Sequence, residues 1–251
     1  MLDLSRLTAE QRQAVMAPDG PLLIMAGPGT GKTTVLAGRI AYLVLVKEIA
    51  PASILAIAFT RVAASQLRTR LAGMLHGQAR HVDVMTFHAL GLRIVRQWSE
   101  ELGFSARQLA VYNEDEARQL LSELAANEGQ NVQAGAFVDL VRDVQRYRLD
   151  GDFEAERIPL LARSYEAALQ QRNAVDFTSM LALPLRLLGS LPRARQLYQD
   201  AYRYLSVDEF QDVSHTQYAL LRCLAEQHRN LAVVGDAAQT LYSWRGADVR
   251  L

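Results

Sequence analysis

The sequence predicts an α/β fold in which a parallel sheet is flanked by helices and interrupted by an all-helical insertion. Short apolar runs alternate with helix-forming stretches at both ends of the 251-residue chain, which is typical of parallel sheets built from strand–helix–strand units. The runs predicted as buried strands lie at 21–26, 54–59, 82–85, 204–207 and 231–234. Between them, 100–172 lacks a strand pattern and repeats apolar residues at helical spacing at 114–126, 137–147 and 160–169.

Composition limits the class of protein. Half of the residues are hydrophobic and the formal net charge is zero, so the chain can form a sizeable core and has no global field that would attract nucleic acid or membranes. The single cysteine, Cys223, excludes a disulfide framework within the chain. The N-terminus does not resemble a signal peptide, and no apolar run is long enough to cross a bilayer. We expect a cytoplasmic protein without a membrane partner.

One local charge imbalance suggests a polyanionic partner. Residues 49–99 contain six arginines and one acid. This basic stretch is either an ordinary solvated face or part of a nucleic-acid track that the neutral total conceals.

A glycine-rich turn follows the first predicted strand and ends in Lys32 and Thr33. Glycines let the backbone curl with its N–H groups pointing inward, and the helix that follows adds its positive end, so the turn suits phosphate oxygens. Lys32 is placed to reach the β- and γ-phosphates, and the Thr33 hydroxyl to bind Mg²⁺. The alternative is an ordinary turn between a strand and a helix. The residues assigned to nucleotide binding here are Ala26, Gly27, Pro28, Gly29, Thr30, Gly31, Lys32, Thr33 and Thr34.

A further nucleotide contact is predicted near the N-terminus. Thr8 can cap a helix, and Gln11 stands three residues later, in the position that completes a capping box. The Gln11 amide can therefore serve the cap alone, or it can recognise an adenine edge through its paired donor and acceptor.

Adjacent acids follow the fourth predicted strand. Asp208 is placed to hold Mg²⁺ opposite Thr33, and Glu209 to orient and deprotonate a water that attacks the γ-phosphate. The alternative is two solvated acids in a turn. Gln239 follows the last predicted strand, where it can respond to the presence of a γ-phosphate. The carboxyl ends of parallel strands form one edge, so these residues should converge.

Beyond that strand, Tyr242, Trp244 and Arg245 lie close together in a segment that includes Gly246. Aromatic side chains in such a setting can stack on unpaired bases. The alternative is a tryptophan buried in the core.

Taken together, these segments resemble the superfamily 1 helicases of the UvrD/Rep/PcrA type. The resemblance runs from Leu7 to the last residue and is weaker over 100–172. In chain order, 7–15 resembles the family's adenine-recognising motif, 26–33 its phosphate loop, 58–64 and 86–88 two DNA-contacting motifs, 207–212 the acidic motif and 234–247 the motif that couples ATP to DNA.

The resemblance implies a RecA-like P-loop domain 1A, formed by 1–99 and 173–251, with the helical insertion 100–172 as subdomain 1B. It implies ATP and Mg²⁺ as cofactors, with Lys32, Asp208, Glu209 and Gln239 in catalysis and Thr33 and Asp208 on the metal. The residues that it implies for DNA binding are Phe59, Thr60, Arg61, Thr86, His88, Tyr242, Trp244 and Arg245.

The sequence also departs from the family pattern. Arg61 stands where the family usually has asparagine, and Thr34 stands where an arginine is frequent, which removes one expected nucleotide contact. The chain stops after the last of these motifs, whereas family members continue into a second RecA-like domain whose arginines complete the ATP site.

The resemblance therefore implies the N-terminal half of a 3′–5′ DNA helicase or translocase, which acts on single-stranded DNA and duplex junctions. We expect a monomeric fragment that binds nucleotide but hydrolyses ATP poorly without the second domain. A stand-alone, non-catalytic module that binds DNA or protein in a nucleotide-dependent way remains an alternative. A third hypothesis is a different P-loop enzyme, such as a kinase, but this hypothesis leaves the segment around Trp244 unexplained.

Overall fold

The computed structural model describes residues 2–127, 134–150 and 157–236. The chain divides into two compact units, one formed by Met1–Phe87 with Leu188–Leu251 and the other by His88–Leu187. These compact units do not test the predicted domain boundaries. The domains 1–99, 100–172 and 173–251 therefore stay predictions. Among the described residues, no helix combines the length and apolar character needed to cross a bilayer.

Strands and helices alternate in the first unit and helices dominate the second. The strands are β1 (Leu22–Met25), β2 (Ile54–Ile57), β3 (Asp83–Met85), β4 (Ala110–Val111), β5 (Ala174–Val175), β6 (Tyr204–Val207) and β7 (Leu231–Gly235). The helices are α1 (Ala9–Val15), α2 (Lys32–Leu45), α3 (Arg61–Leu75), α4 (Phe87–Gln97), α5 (Glu114–Asn127), α6 (Ala134–Asp150), α7 (Arg157–Gln171), α8 (Ser179–Ser190), α9 (Pro192–Ala201) and α10 (His215–Ala225).

Within the described residues, the first unit is built on a five-stranded parallel sheet in the order β1-β7-β6-β2-β3. Strands β2 and β6 are buried along their whole length, as expected for parallel strands covered on both faces. Leu36 and Ile40 of α2 and Leu67 of α3 pack in one core cluster with sheet residues such as Ala56. The predicted α/β architecture with a parallel sheet is confirmed, and it is consistent with a RecA-like domain.

Strand β1 corrects one expectation. Its apolar run predicts burial on both faces, but its residues alternate between partly buried and exposed. The Leu23 and Met25 side chains are 61% and 57% exposed. The physical reason is position, because in the sheet formed by the described residues β1 lies at the edge and pairs with β7.

The strand register sets up the functional edge. Met25 pairs with Gly235 and Ile57 pairs with both Val207 and Met85. Because all five strands run in the same direction, the segments that follow them leave the sheet along one edge. The phosphate loop, the two acids after β6 and the residues after β2, β3 and β7 therefore lie along the same side of this unit.

The second unit contains the three predicted helices of the insertion. Helices α5, α6 and α7 pack around a cluster that includes Leu120, Leu140, Val144 and Leu161. The expectation of an all-helical insertion is wrong at one point, because Ala110–Val111 pairs with Ala174–Val175 in a parallel two-stranded sheet. A strand of two residues is too short to show a periodic pattern and therefore cannot be predicted from hydrophobic periodicity.

Candidate functional site

The phosphate loop connects β1 to α2, and its conformation depends on two glycines. Gly29 and Gly31 have φ angles of 72° and 85°, in the left-handed region that glycine adopts without a steric cost. Gly31 is also the residue that precedes the first turn of α2, a helix of 14 residues. The loop is closed by a 2.7 Å hydrogen bond from Thr30 Oγ1 to the Gly27 carbonyl. The helix start therefore presents its free N–H groups beside the loop, as an anion site requires.

Lys32 lies at the centre of the site. It is buried, with only 8% of its surface exposed, and its Nζ lies 3.7 Å from Glu209 Oε2 and 3.8 Å from Asp236 Oδ2. These acids come from the segments after β6 and at the end of β7, so three chain segments converge on one ammonium group. Both separations exceed ordinary hydrogen-bond lengths, so these two contacts are ion pairs rather than short hydrogen bonds.

Thr33 and Asp208 are in direct contact. The Thr33 hydroxyl donates a 2.8 Å hydrogen bond to Asp208 Oδ2. Burial raises the pKa of Asp208 above its ordinary value, the Thr33 hydrogen bond opposes this shift, and the neighbouring Glu209 carboxylate adds to it. A hydroxyl and a buried carboxylate whose charge is under-compensated are the hard oxygen donors that Mg²⁺ prefers. The donor set therefore fits the predicted metal.

A larger acidic cluster is not present in the described ranges, where no group of three or more His, Cys, Asp or Glu side chains is arranged to hold a metal. Mg²⁺ that enters with a nucleotide needs only one or two protein carboxylates, because phosphate and water oxygens complete its shell. The pair formed by Thr33 and Asp208 is sufficient for that mode of binding.

Glu209 adopts a conformation that is unusual for a side-chain-bearing residue. Its φ and ψ angles are 51° and 50°, in the left-handed region, which costs free energy and often occurs where a side chain has to be aimed. Its Oε2 accepts a 2.7 Å hydrogen bond from Gln211 Nε2. Its backbone N–H donates to Asp208 Oδ1 at 3.1 Å. No role was predicted for Gln211 from the sequence, although it falls within the acidic motif.

Gln11 serves the helix cap and also contacts the loop. Thr8 N donates to Gln11 Oε1 at 3.0 Å and Gln11 N donates to Thr8 Oγ1 at 3.3 Å, so the predicted capping box is confirmed. In addition, Gln11 Nε2 donates to the Thr30 carbonyl at 2.8 Å. A primary amide has a second N–H and a second oxygen lone pair, which can meet an adenine edge. That recognition stays a prediction.

Arg70 is the second residue that sequence analysis missed. It lies on α3, and its Nη1 donates a 2.7 Å hydrogen bond to Thr34 Oγ1. It lines the same cavity of about 280 Å³ as the phosphate loop and Glu209. Its guanidinium therefore lies beside the position where Thr34 replaces the frequent arginine. Thr34 was the one clue to Arg70 in the sequence. When a phosphate site lacks a cation at its usual position, a cation from another element can replace it.

The predicted DNA-contacting residues lie in the first unit, in the second unit, or outside the described residues. Phe59, Thr60 and Arg61 follow β2, and the Thr60 hydroxyl also caps α3 by accepting a 3.0 Å hydrogen bond from Ala63 N. Thr86 follows β3 at the same edge.

His88 belongs to the second unit, where its ring packs edge-on against Phe177 with centroids 5.5 Å apart. Gln239, Tyr242, Trp244 and Arg245 lie outside the described residues. The DNA-binding roles of all these residues stay predictions.

Comparison with known proteins is consistent with this site. A family model described as the UvrD/REP helicase N-terminal domain matches residues 7–251. Curated relatives include proteins named ATP-dependent DNA helicase PcrA from Staphylococcus epidermidis and Staphylococcus aureus, each 32% identical to this chain. The matches cover 98% of this chain but only 35% of each relative. The chain thus spans about a third of the length of these relatives.

Proposed function

This chain belongs to the UvrD/REP helicase N-terminal domain family, and we propose that it binds Mg·ATP at the phosphate loop as part of an ATP-dependent DNA helicase or translocase. The observation that carries the proposal is the convergence of Lys32 with Glu209 and Asp236, beside the contact of Thr33 with Asp208. A phosphate loop without acids at the neighbouring strand ends would support nucleotide binding alone. With them, the edge has the parts of an ATP-hydrolysing site.

Each residue has a specific role in this proposal. Lys32 leaves its two carboxylates to bind the β- and γ-phosphate oxygens, while the N–H groups of the loop and of the first turn of α2 bind the remaining oxygens. Thr33 and Asp208 hold Mg²⁺, which neutralises charge on the phosphates. Glu209 accepts the proton of the attacking water. Gln11 contacts the adenine, and Arg70 supplies a cation at the Thr34 side of the cavity.

We further propose that the residues after β2 and β3 bind single-stranded DNA, together with His88, Tyr242, Trp244 and Arg245, next to duplex junctions. The relatives named PcrA support DNA as the partner, and their greater length supports a second RecA-like domain that completes the ATP site. Hydrolysis is expected to be slow in this chain alone, because arginines from such a domain stabilise the transition state. Movement from 3′ to 5′ rests on the family resemblance.

The test compares this chain with the natural reading frame that contains it. ATP affinity and phosphate release are measured for both, with and without single-stranded DNA. The proposal expects both proteins to bind Mg·ATP, and only the longer one to show rapid hydrolysis that DNA stimulates and Glu209→Gln abolishes. Rapid DNA-stimulated turnover by this chain alone would contradict the need for a second domain. Nucleotide binding without hydrolysis in the longer protein would instead favour a non-catalytic nucleotide-dependent module.

A further inference from the structure

We propose that Gln211 is a positioning residue, which holds the Glu209 carboxylate in one orientation by tying it to the end of β7. This inference rests on the proposed function, because it concerns the group that accepts the water proton. Gln211 lies outside the loop and is not one of the two acids. Its side chain connects the segments that follow β6 and β7, which are neighbouring strands of the sheet.

The orientation of the Gln211 amide is fixed by chemistry. The backbone N–H of Asp236 lies 3.0 Å from Gln211 Oε1. A backbone N–H can only donate, so the oxygen end of the amide must face Asp236 and the NH₂ end must face Glu209. The 2.7 Å contact between Gln211 Nε2 and Glu209 Oε2 is therefore a hydrogen bond that the carboxylate accepts.

Packing holds Gln211 in that place. The residue is buried, with 8% of its surface exposed. A Cβ at Gly235 would lie 3.0 Å from Gln211 Oε1 and 3.4 Å from Gln211 N. The 210–212 turn thus lies directly against the backbone of β7, and the hydrogen bond from Asp236 N fixes the oxygen end of the amide there. Gly235 permits this close approach because it has no side chain.

Glu209 needs such a partner. Its side chain is about a third exposed, and the ion pair with Lys32, at 3.7 Å, also falls on Oε2. When Lys32 turns to the phosphates of ATP, Gln211 remains as the donor to Oε2. Oε1 is then directed to the attacking water by a side chain that does not itself touch the substrate. A general base depends on this geometry as much as on its basicity.

The first experiment separates orientation from folding and binding. Gln211→Leu removes both hydrogen bonds at nearly constant volume. Gln199→Leu is the matched control, because Gln199 is a buried glutamine of the same unit whose side chain bonds to the Cys223 carbonyl. In the natural reading frame that contains this chain, Gln211→Leu should lower single-turnover ATP hydrolysis by about tenfold to a hundredfold. Mg·ATP affinity should stay within about twofold. A wild-type hydrolysis rate, or a loss of affinity equal to the loss of rate, would overturn the inference.

A double-variant cycle tests whether Gln211 acts through Glu209. Glu209→Asp retains a carboxylate but is one methylene too short for the contact, so adding Gln211→Leu should lower its rate no further. A second loss as large as that in the wild-type background would overturn the inference. Gly235→Ala should displace the Gln211 amide without removing it. This variant should therefore also lower the hydrolysis rate while leaving Mg·ATP affinity nearly unchanged. If Lys32→Ala and Glu209→Asp both left wild-type hydrolysis intact, the proposed function itself would be overturned, and this inference with it.

Discussion

The two compact units both bury charged side chains, but they hold them differently. In the first unit, the phosphate-loop cluster (Lys32, Thr33, Asp208, Glu209 and Asp236) places the ammonium 3.7 and 3.8 Å from two carboxylates. In the second unit, the Arg148 cluster (Arg148, Tyr165, Glu166, Asp176 and Ser179) uses short bonds. Arg148 donates to both oxygens of Asp176 at 2.6 and 3.1 Å and to Ser179 Oγ at 2.8 Å.

The pKa shifts have opposite signs in the two clusters. Burial raises the pKa of Asp208, and the hydrogen bonds from the Thr33 hydroxyl and the Glu209 N–H, together with the Lys32 charge, do not offset this. Burial also acts on Asp176, but Arg148 and the Ser179 donors outweigh it and hold the pKa of Asp176 below its ordinary value. A fully bonded carboxylate indicates a structural role, whereas an under-compensated one near a lysine that lies 3.7 and 3.8 Å from two further acids suits a ligand that brings its own charges. Burial of charge alone would not distinguish the two sites.

The largest effect is expected from Asp176→Ala. Among the described residues, this change leaves buried Arg148 with the more distant Glu166 carboxylate, at 3.3 Å, to balance it. The free energy of unfolding should fall by about 3–5 kcal/mol, measured by denaturant titration. Asp139→Ala, which removes an exposed partner of Arg142, is the control and should cost less than about 1 kcal/mol. If folded Asp176→Ala protein also lost Mg·ATP affinity by a comparable free energy, the Arg148 cluster would not be purely structural.

Lys32→Ala should show the reverse pattern. Mg·ATP affinity should fall about a hundredfold, because a buried cation that faces phosphates is lost. The free energy of unfolding should fall less than in Asp176→Ala, because the carboxylate contacts of Lys32 are long. Titration calorimetry and denaturant titration measure the two quantities. Lys47→Ala, which removes the other lysine of the chain and an exposed one, should change neither. Equal losses of stability in Lys32→Ala and Asp176→Ala would show that both clusters are structural.

Arg70→Ala tests whether the nucleotide site extends to α3. Because the guanidinium lies in the cavity and holds Thr34, its removal should weaken Mg·ATP binding about tenfold. Fluorescence titration with a labelled nucleotide measures this change. Arg118→Ala removes an exposed arginine that pairs with Glu114 in the other unit and should leave the affinity unchanged. An unchanged affinity in Arg70→Ala would place that residue outside the site.

The smallest effect concerns pH. The folded-state pKa of Asp208 is raised above 3.8, so its ionised form disfavours the folded state, and this penalty appears as the pH rises through that pKa. Without Mg²⁺, Asp208→Asn should therefore slightly raise the melting temperature at pH 7, and the gain should vanish in acid, towards pH 3.8.

Asp176→Asn should do the opposite. Its folded-state pKa is lowered below 3.8, so the stability that it contributes is present above that value and is lost as the pH falls through the folded pKa. Melting curves at pH 7 and at pH 4 compare the two variants: the gain in Asp208→Asn should shrink by pH 4, whereas the loss in Asp176→Asn should persist there, because pH 4 lies above the folded-state pKa of Asp176. Shifts of the same sign at neutral pH would contradict the proposed difference between the clusters.

Much of the fold could be predicted, because it depends on local patterns. Apolar runs, glycines before Lys32 and a capping threonine act within a few residues, and the loop, the capping box and the parallel sheet all appear where they were expected. The features that were missed depend on distant partners. Arg39 is one example, since its guanidinium bonds to the carbonyls of Ala17 and Pro18, just after the end of α1. No feature of the sequence near Arg39 indicates those acceptors.

By itself, the sequence determined which chemical groups follow each strand: Thr33 after the loop, Asp208 and Glu209 after β6. Only the tertiary structure decided which of them meet. The sheet order inserts β7 between β1 and β6, so Asp236 and Gln211 join a site that was predicted from the loop, the two acids and Gln239. The physical reason is that strand neighbours are chosen by long-range packing, whereas strand ends are set by local residues. Lys32 therefore lies between carboxylates that follow two different strands.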